Sequence, residues 1–268
     1  DAVLRYDAPM RETAVHRAFA ALPANVGWMV LLAVFTGAAA LTGFNPLWGN
    51  IPVNIVLSAV VLVACRMVFF ERLKLSTLIV MRILVVLAVL SVIPGELFIK
   101  ILFGFLVVNI LEATLTDLRK GKNRLNFVTG LALAGAVAVF RGRWNGTYYV
   151  VETPGFVPWI ISYTVWNWLF VTREFGPAIA RMHLAVLAAP IVGCLALLHP
   201  GLWLLFRGNS LITAGLVQIS SKEFVEGYFA SDRFARFVAR VQGTSVQAAL
   251  MVVNVALALV PVYYDYWR

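Results

Sequence analysis

The sequence predicts an all-α protein, a polytopic bundle of transmembrane helices forming a single domain over residues 1–268. Three observations carry that reading. Apolar residues make up 61% of the chain and charged residues only 13%, whereas soluble globular chains hold about a quarter charged residues. The mean hydropathy is +0.86. Apolar stretches long enough to cross a bilayer as a helix, about 20 residues with roughly 17 as the lower limit, recur between short clusters of Lys and Arg.

Nine such stretches can be drawn, at 24–43, 51–70, 75–93, 97–117, 125–141, 156–172, 182–198, 203–220 and 243–262. The segment "LLHPGLW" between the seventh and eighth reads as a tight hairpin or as a kink in one re-entrant element, because Pro lacks an N–H and Gly tolerates unusual dihedrals. Eight spans is therefore the alternative count. Loop charge orders the spans. Arg5, Arg11 and Arg17, Arg72 and Lys74, Arg119 to Arg124, Arg173 and Arg181, and Lys222 to Arg240 alternate with the nearly uncharged turns "NPLWGN", "PGE" and "HPG". Only Arg141 and Arg143 break the alternation. Cytoplasmic loops carry the excess of Lys and Arg, so the expected place is a cell inner membrane, crossed many times, with residues 1–22 a cytoplasmic lead-in.

The net charge of +9 is spread among these loops and forms no single patch, which excludes a nucleic-acid partner; membrane lipids are the expected one. Cys65 and Cys194 lie inside apolar spans and His16, His183 and His199 lack ligand spacing, so no disulfide framework or metal centre is indicated. No cofactor is indicated either. Residues 222–241 place Phe234, Phe237, Val238 and Val241 at helical spacing and gather Arg233, Arg236 and Arg240 on another face. That pattern predicts an amphipathic helix lying in the headgroup layer. The tail "YYDYWR" and the stretch "RGRWNGTYY" look like aromatic interface belts.

Ionisable groups at bilayer depth cost about 2.5–3.5 kcal/mol each on insertion scales and face protein or water. Arg82 lies seven residues into the third span, about 10 Å deep, and Glu112 lies six residues before the next basic loop, about 9 Å deep. The third and fourth spans are joined by the turn "IPGE", so the two side chains are expected to pair. Asn109 stands one turn from Glu112 on nearly the same face. Asn126, Asn167 and Gln218 lie near the same membrane surface, with Tyr163 and Trp166 as walls. A cluster of Arg82, Asn109, Glu112, Asn126, Tyr163, Trp166, Asn167 and Gln218 is thus the candidate ligand or ion site. Such a cluster also serves as interhelical glue. Lys100, Arg66 and Arg72 are expected to snorkel to the interfaces, and the Gly/Ala-rich fifth span, "GLALAGAVAV", is expected at the bundle centre.

The motifs "NILEATLTD", "LNFVTG" and "WIISYTVWNWLFV" together resemble an uncharacterised bacterial family of polytopic membrane proteins, a domain of unknown function, over about residues 100–260. The resemblance implies that Asn109, Glu112, Asn126, Trp166 and Asn167 act as a unit, with Arg207 matching an arginine ahead of the eighth span. The stretch "LITAGL" departs from the family's aromatic-rich segment, and the first hundred residues do not match. The resemblance carries no activity. Three functional classes follow, in order: a small-solute or ion carrier; a non-catalytic subunit of a larger membrane complex, contacting other subunits, itself, lipid or pigment; and a lipid-modifying enzyme. The last ranks third because no nucleophile elbow, histidine cluster or aspartate-rich metal motif is present.

Overall fold

A computed structural model of the protein describes residues 13–121 and 123–267. Arg5, Arg11 and Lys122 of the basic clusters, most of the 1–22 lead-in and the terminal Arg268 lie outside them. Among the described residues the fold is all-α apart from one two-stranded hairpin. Five helical segments are long and apolar enough to cross a membrane: Ala24–Phe44, Gly95–Arg119, Gly176–Ala196, Pro200–Ser220 and Thr244–Tyr266. By length and composition this is a membrane protein. Nine spans are not supported by length and composition, which pick out these five, with Ile51–Ala64 and Arg124–Val139 as shorter apolar helices.

The helices are α1 (Ala14–Ala20), α2 (Ala24–Phe44), α3 (Leu57–Ala64), α4 (Phe69–Val89), α5 (Gly95–Thr116), α6 (Arg124–Ala136), α7 (Phe156–Glu174), α8 (Gly176–Ala196), α9 (Trp203–Ser220), α10 (Lys222–Tyr228), α11 (Asp232–Val241), α12 (Thr244–Ala258) and α13 (Val260–Tyr266). The expected span at 51–70 is cut short. It is a π-helical segment, Ile51–Val56, running into α3, and the chain leaves helix at Cys65. Pro52 in that segment has no N–H to give to a regular ladder. The third span starts six residues earlier than hydropathy places it, at Phe69, where Glu71 Oε2 accepts the backbone N–H of Val68 at 3.1 Å. The α8–α9 connection is a turn between two separate helices, with Leu198 in the left-handed region (φ 50°).

α2 packs on α8 and α9, which pack on each other; α5 lies on α6, and α12 covers α6 and α7, which in turn meets α8. α4 fits between α5 and α9. One continuous apolar core runs through them, centred on Trp159, Trp166 and Trp203, each buried. The basic segment at 222–241 is two helices, α10 and α11, broken at Phe229–Ser231. Ser231 caps the second by accepting the Phe234 N–H at 3.3 Å. Phe234 and Phe237 rest on Trp168 of α7, so the apolar face of α11 is covered by protein as well.

The "RGRWNGTYY" stretch is not a surface belt throughout. Gly142–Trp144 (β1) pairs antiparallel with Tyr149–Val151 (β2), with Trp144 opposite Tyr149. Tyr149, Val150 and Val151 are buried. The hairpin tucks into the end of the bundle, where a Cβ at Gly201 would collide with the carbonyl oxygen of Val151. The exposed tail residues Tyr263, Tyr264, Tyr266 and Trp267 keep the belt character. Lys100, Arg66 and Arg72 are exposed.

Small residues on α6 let it approach its neighbours closely. A Cβ at Gly130 would collide with the Thr114 hydroxyl and come 2.9 Å from Trp166 Nε1, whereas one at Gly135 would meet nothing within 4 Å. Overpacking of this kind costs about 1–3 kcal/mol. Gly130→Val is therefore expected to lower the thermal midpoint of the purified protein by several degrees, while Gly135→Ala leaves it unchanged or raises it.

Candidate functional site

Two polar systems meet α4 at different heights. Near its start, Lys74 Nζ lies 3.5 Å from Glu112 Oε2 and donates to Asn109 Oδ1. Asn109 and Glu112, three residues apart on α5, share one face and hold one ammonium between them. The pair is largely sheltered, with side-chain exposures of 22% and 16%. Arg82 is elsewhere. Because α4 begins at Phe69, Arg82 lies thirteen residues in, about 20 Å from the helix start by its rise, while Lys74 is about 7–8 Å in, level with Glu112. The expected Arg82–Glu112 pair is corrected to Lys74–Glu112.

Arg82 instead belongs to an amide network. Asn209 Oδ1 accepts from Arg82 Nη1 (2.8 Å) and Asn54 Nδ2 (2.9 Å), with the Thr42 hydroxyl at 3.0 Å. Asn54 Nδ2 also reaches Asn50 Oδ1 at 3.1 Å, and Asn50 Nδ2 donates to the Arg82 carbonyl at 3.3 Å. This ties α2, the π-helical segment, α4 and α9 around one guanidinium. Asn54, buried and held by the π segment, is what lets Ile51–Val56 reach α9.

A cavity of about 100 Å³ lies between α4, α5, α7, α8 and α9. A single water needs about 10–15 Å³ by the same kind of measure, so several waters or a small solute fit. Asn109, Tyr163, Trp166, Asn167 and Gln218, all expected site residues, line it. Glu112 reaches it through Lys74. Arg82 lies in an adjoining chamber of about 60 Å³, which shares Lys74, Leu78, Asn109, Tyr163, Arg207 and Leu211 with the first. Asn126 is not in the cavity. Its Nδ2 donates to Asp117 Oδ2 at 2.6 Å and to the Trp166 carbonyl at 3.4 Å, behind the wall that Trp166 forms. With Asn123 donating to Gln247 at 3.3 Å, that cluster stitches α5, α6 and α12.

Sequence reasoning left four contributors out of the site: Lys74, His183, Arg207 and Asn209. Asn167 Oδ1 accepts from Arg207 Nη2 at 3.1 Å and sits 3.1 Å from His183 Nε2. A guanidinium only donates, so the Asn167 atom facing it is the carbonyl oxygen. His183 must then carry its hydrogen on Nε2 to bond the same oxygen. Arg207 also sits 5.8 Å from the centroid of the Tyr163 ring, within cation–π range. Burial holds the Tyr149 phenol, which faces the smaller chamber, above its ordinary range; it is a donor, reaching the Leu204 carbonyl at 3.4 Å. Arg207 and Asn209 stood out in the sequence as polar residues early in an apolar span and Arg207 through the family resemblance, but neither was put in the site; Lys74 had been placed in a loop. Among the described residues no three His, Cys, Asp or Glu side chains gather to hold a metal.

Comparison with protein-family models, curated proteins and solved structures finds no match to this chain. The resemblance of residues 100–260 to an uncharacterised membrane family is neither supported nor opposed by them.

The two pairings separate in a double-mutant cycle. Groups in direct contact couple by about 0.5–3 kcal/mol, and distant ones add to within about 0.5 kcal/mol. Lys74→Met with Glu112→Leu should destabilise less than the sum of the single changes, because each single change strands a sheltered charge. Arg82→Met with Glu112→Leu should simply add. Chemical or thermal unfolding of the purified variants measures both.

Proposed function

We propose that this protein is a small-solute or ion carrier whose site is the cavity between α4, α5, α7, α8 and α9. The observation that carries the reading is a solute-sized space inside an apolar bundle, lined by Lys74, Asn109, Asn167, Arg207 and Gln218. Ionisable groups within membrane helices mark substrate and ion pathways and face the interior. A bundle held only by glue needs no such space, because interhelical hydrogen bonds close up around their partners. The two adjoining chambers supply the start of a path along α4 and α9.

On this reading α4 and α7, at 21 and 19 residues, and the shorter apolar segments Ile51–Ala64 and Arg124–Val139 cross the membrane with the five more apolar helices. The polar residues of α4 and α7 face the cavity rather than lipid. The protein sits in a bacterial inner membrane with its N-terminus and the basic loop after α5 in the cytoplasm, since Lys and Arg concentrate there. Lipids are its immediate partners. α11 places Arg233, Arg236 and Arg240 where anionic headgroups would meet them.

Proteoliposomes loaded in turn with chloride, phosphate, acetate, sodium or potassium test the proposal. The wild-type protein is expected to accelerate release of at least one of these. Glu112→Gln, which removes the counter-charge of Lys74, should change that rate at least tenfold with reconstitution and folding preserved. Release no faster than from empty liposomes for every solute would remove the proposal.

A further inference from the structure

The cavity holds more positive than negative charge, and its most buried cation is only partly satisfied. Arg207 is 3% exposed and lines both chambers. Its Nη2 donates to Asn167, while Nε and Nη1 have no partner. Among the described residues no carboxylate lies within ion-pair distance of this guanidinium. A guanidinium carries five N–H donors in a rigid fork and no acceptor. Asn167 takes one of the two hydrogens on Nη2. The other then runs parallel either to the Nε hydrogen or to a hydrogen on Nη1, and both of those are without a partner among the described residues. One two-point fork therefore remains whichever hydrogen Asn167 takes. Two parallel N–H donors are the geometry that grips a carboxylate or a phosphate.

The fork is also held in place. Asn167 is fixed from its far side by His183 at 3.1 Å, and the Tyr163 ring lies under the guanidinium. The His183 Nε2–H and a ring face add no negative charge that would satisfy Arg207 internally. Resting on the carrier reading above, we infer that the solute is a small oxyanion, a carboxylate or a phosphate, anchored by Arg207. Lys74 and Arg82 flank it. They stand eight residues apart on α4, about 12 Å by the helix rise, Lys74 lining both chambers and Arg82 the smaller one, with Arg207 shared between them. Glu112 offsets Lys74, and Glu71, which also lines the larger chamber, is offset by Lys222 at 3.3 Å. The three cations make a row that favours an anion at each step and repels a cation, and Leu211, common to both chambers, stands at their junction.

The test uses the purified full chain in phosphatidylcholine nanodiscs, titrated with inorganic phosphate, acetate and choline. Binding is read by calorimetry and by the shift of the thermal midpoint. Phosphate or acetate should bind saturably and raise the midpoint, and choline should do neither. Arg207→Lys keeps the charge but loses the fork, and should weaken the oxyanion at least tenfold. Leu211→Trp should fill the junction and abolish binding with Arg207 intact. If Arg207→Lys does not fold, the wild-type titration and Leu211→Trp still decide. No binding of phosphate or acetate to folded wild type, choline binding as tight as theirs, or unchanged affinity in the variants overturns the inference. Repeating the titration with phosphatidylglycerol in the disc separates two sources. Competition assigns the fork to a headgroup phosphate and no competition to a soluble oxyanion; both keep Arg207 as anchor. Solute flux without oxyanion binding would remove this inference and keep the carrier reading, and oxyanion binding without flux would do the reverse.

Discussion

The interior of this bundle is organised by two guanidinium groups that, among the described residues, have no carboxylate within ion-pair distance. Each ionisable group placed at membrane depth costs about 2.5–3.5 kcal/mol on insertion scales, so the surrounding chain must supply donors' partners from amides, hydroxyls and backbone carbonyls. Arg82 and Arg207 meet this constraint differently. Around Arg82, four helical segments converge: Asn209 takes the guanidinium, Asn54 and Thr42 hold Asn209, and Asn50 bonds the Arg82 carbonyl, all of them buried. Around Arg207 a single asparagine oxygen is provided with no such supporting network, and among the described residues two of its three nitrogens, Nε and Nη1, are without a partner. The first arrangement fixes register; the second leaves capacity to bind.

The same constraint explains which parts of the fold the sequence made legible. α2 was read to within a residue because Pro23 and Asn45 bracket an uninterrupted apolar run. α8 and α9 emerged as separate helices because a Pro-Gly turn divides them. α4 was misplaced because hydropathy stops at Glu71, Arg72 and Lys74, whereas the helix continues through them, with Glu71 and Lys74 turned toward protein and Arg72 outward. An offset of six residues moved the depth scale by about 9 Å, enough to give Glu112 the wrong partner. The π-helical start of the second apolar stretch, and the hairpin that buries Tyr149, left no signature in periodicity.

The site itself was half legible. Asn109 and Glu112 could be placed together because positions three apart on one helix share a face, and Asn167 by its depth, with Tyr163 and Trp166 beside it as walls. Asn126 was grouped with them by depth alone, and depth does not distinguish the two sides of the Trp166 ring. Arg207 and His183 were not assigned from their own neighbourhoods, where their near polar neighbours, Asn209 and Arg181, turn to other partners. Only packing of α8 against α7 and α9 brings them to Asn167.

The central claim is that the junction of the two chambers is reachable from water and positive. It is tested most directly by thiol reactivity at Leu211→Cys, in a chain whose Cys65 and Cys194 are replaced by alanine. Two methanethiosulfonate reagents of similar size are compared, one carrying a sulfonate and one a trimethylammonium group. Normalised to a small free thiol, the anionic reagent should modify position 211 at least tenfold faster than the cationic one. Equal rates, a preference for the cation, or no reaction with either would contradict a positive, solute-accessible interior.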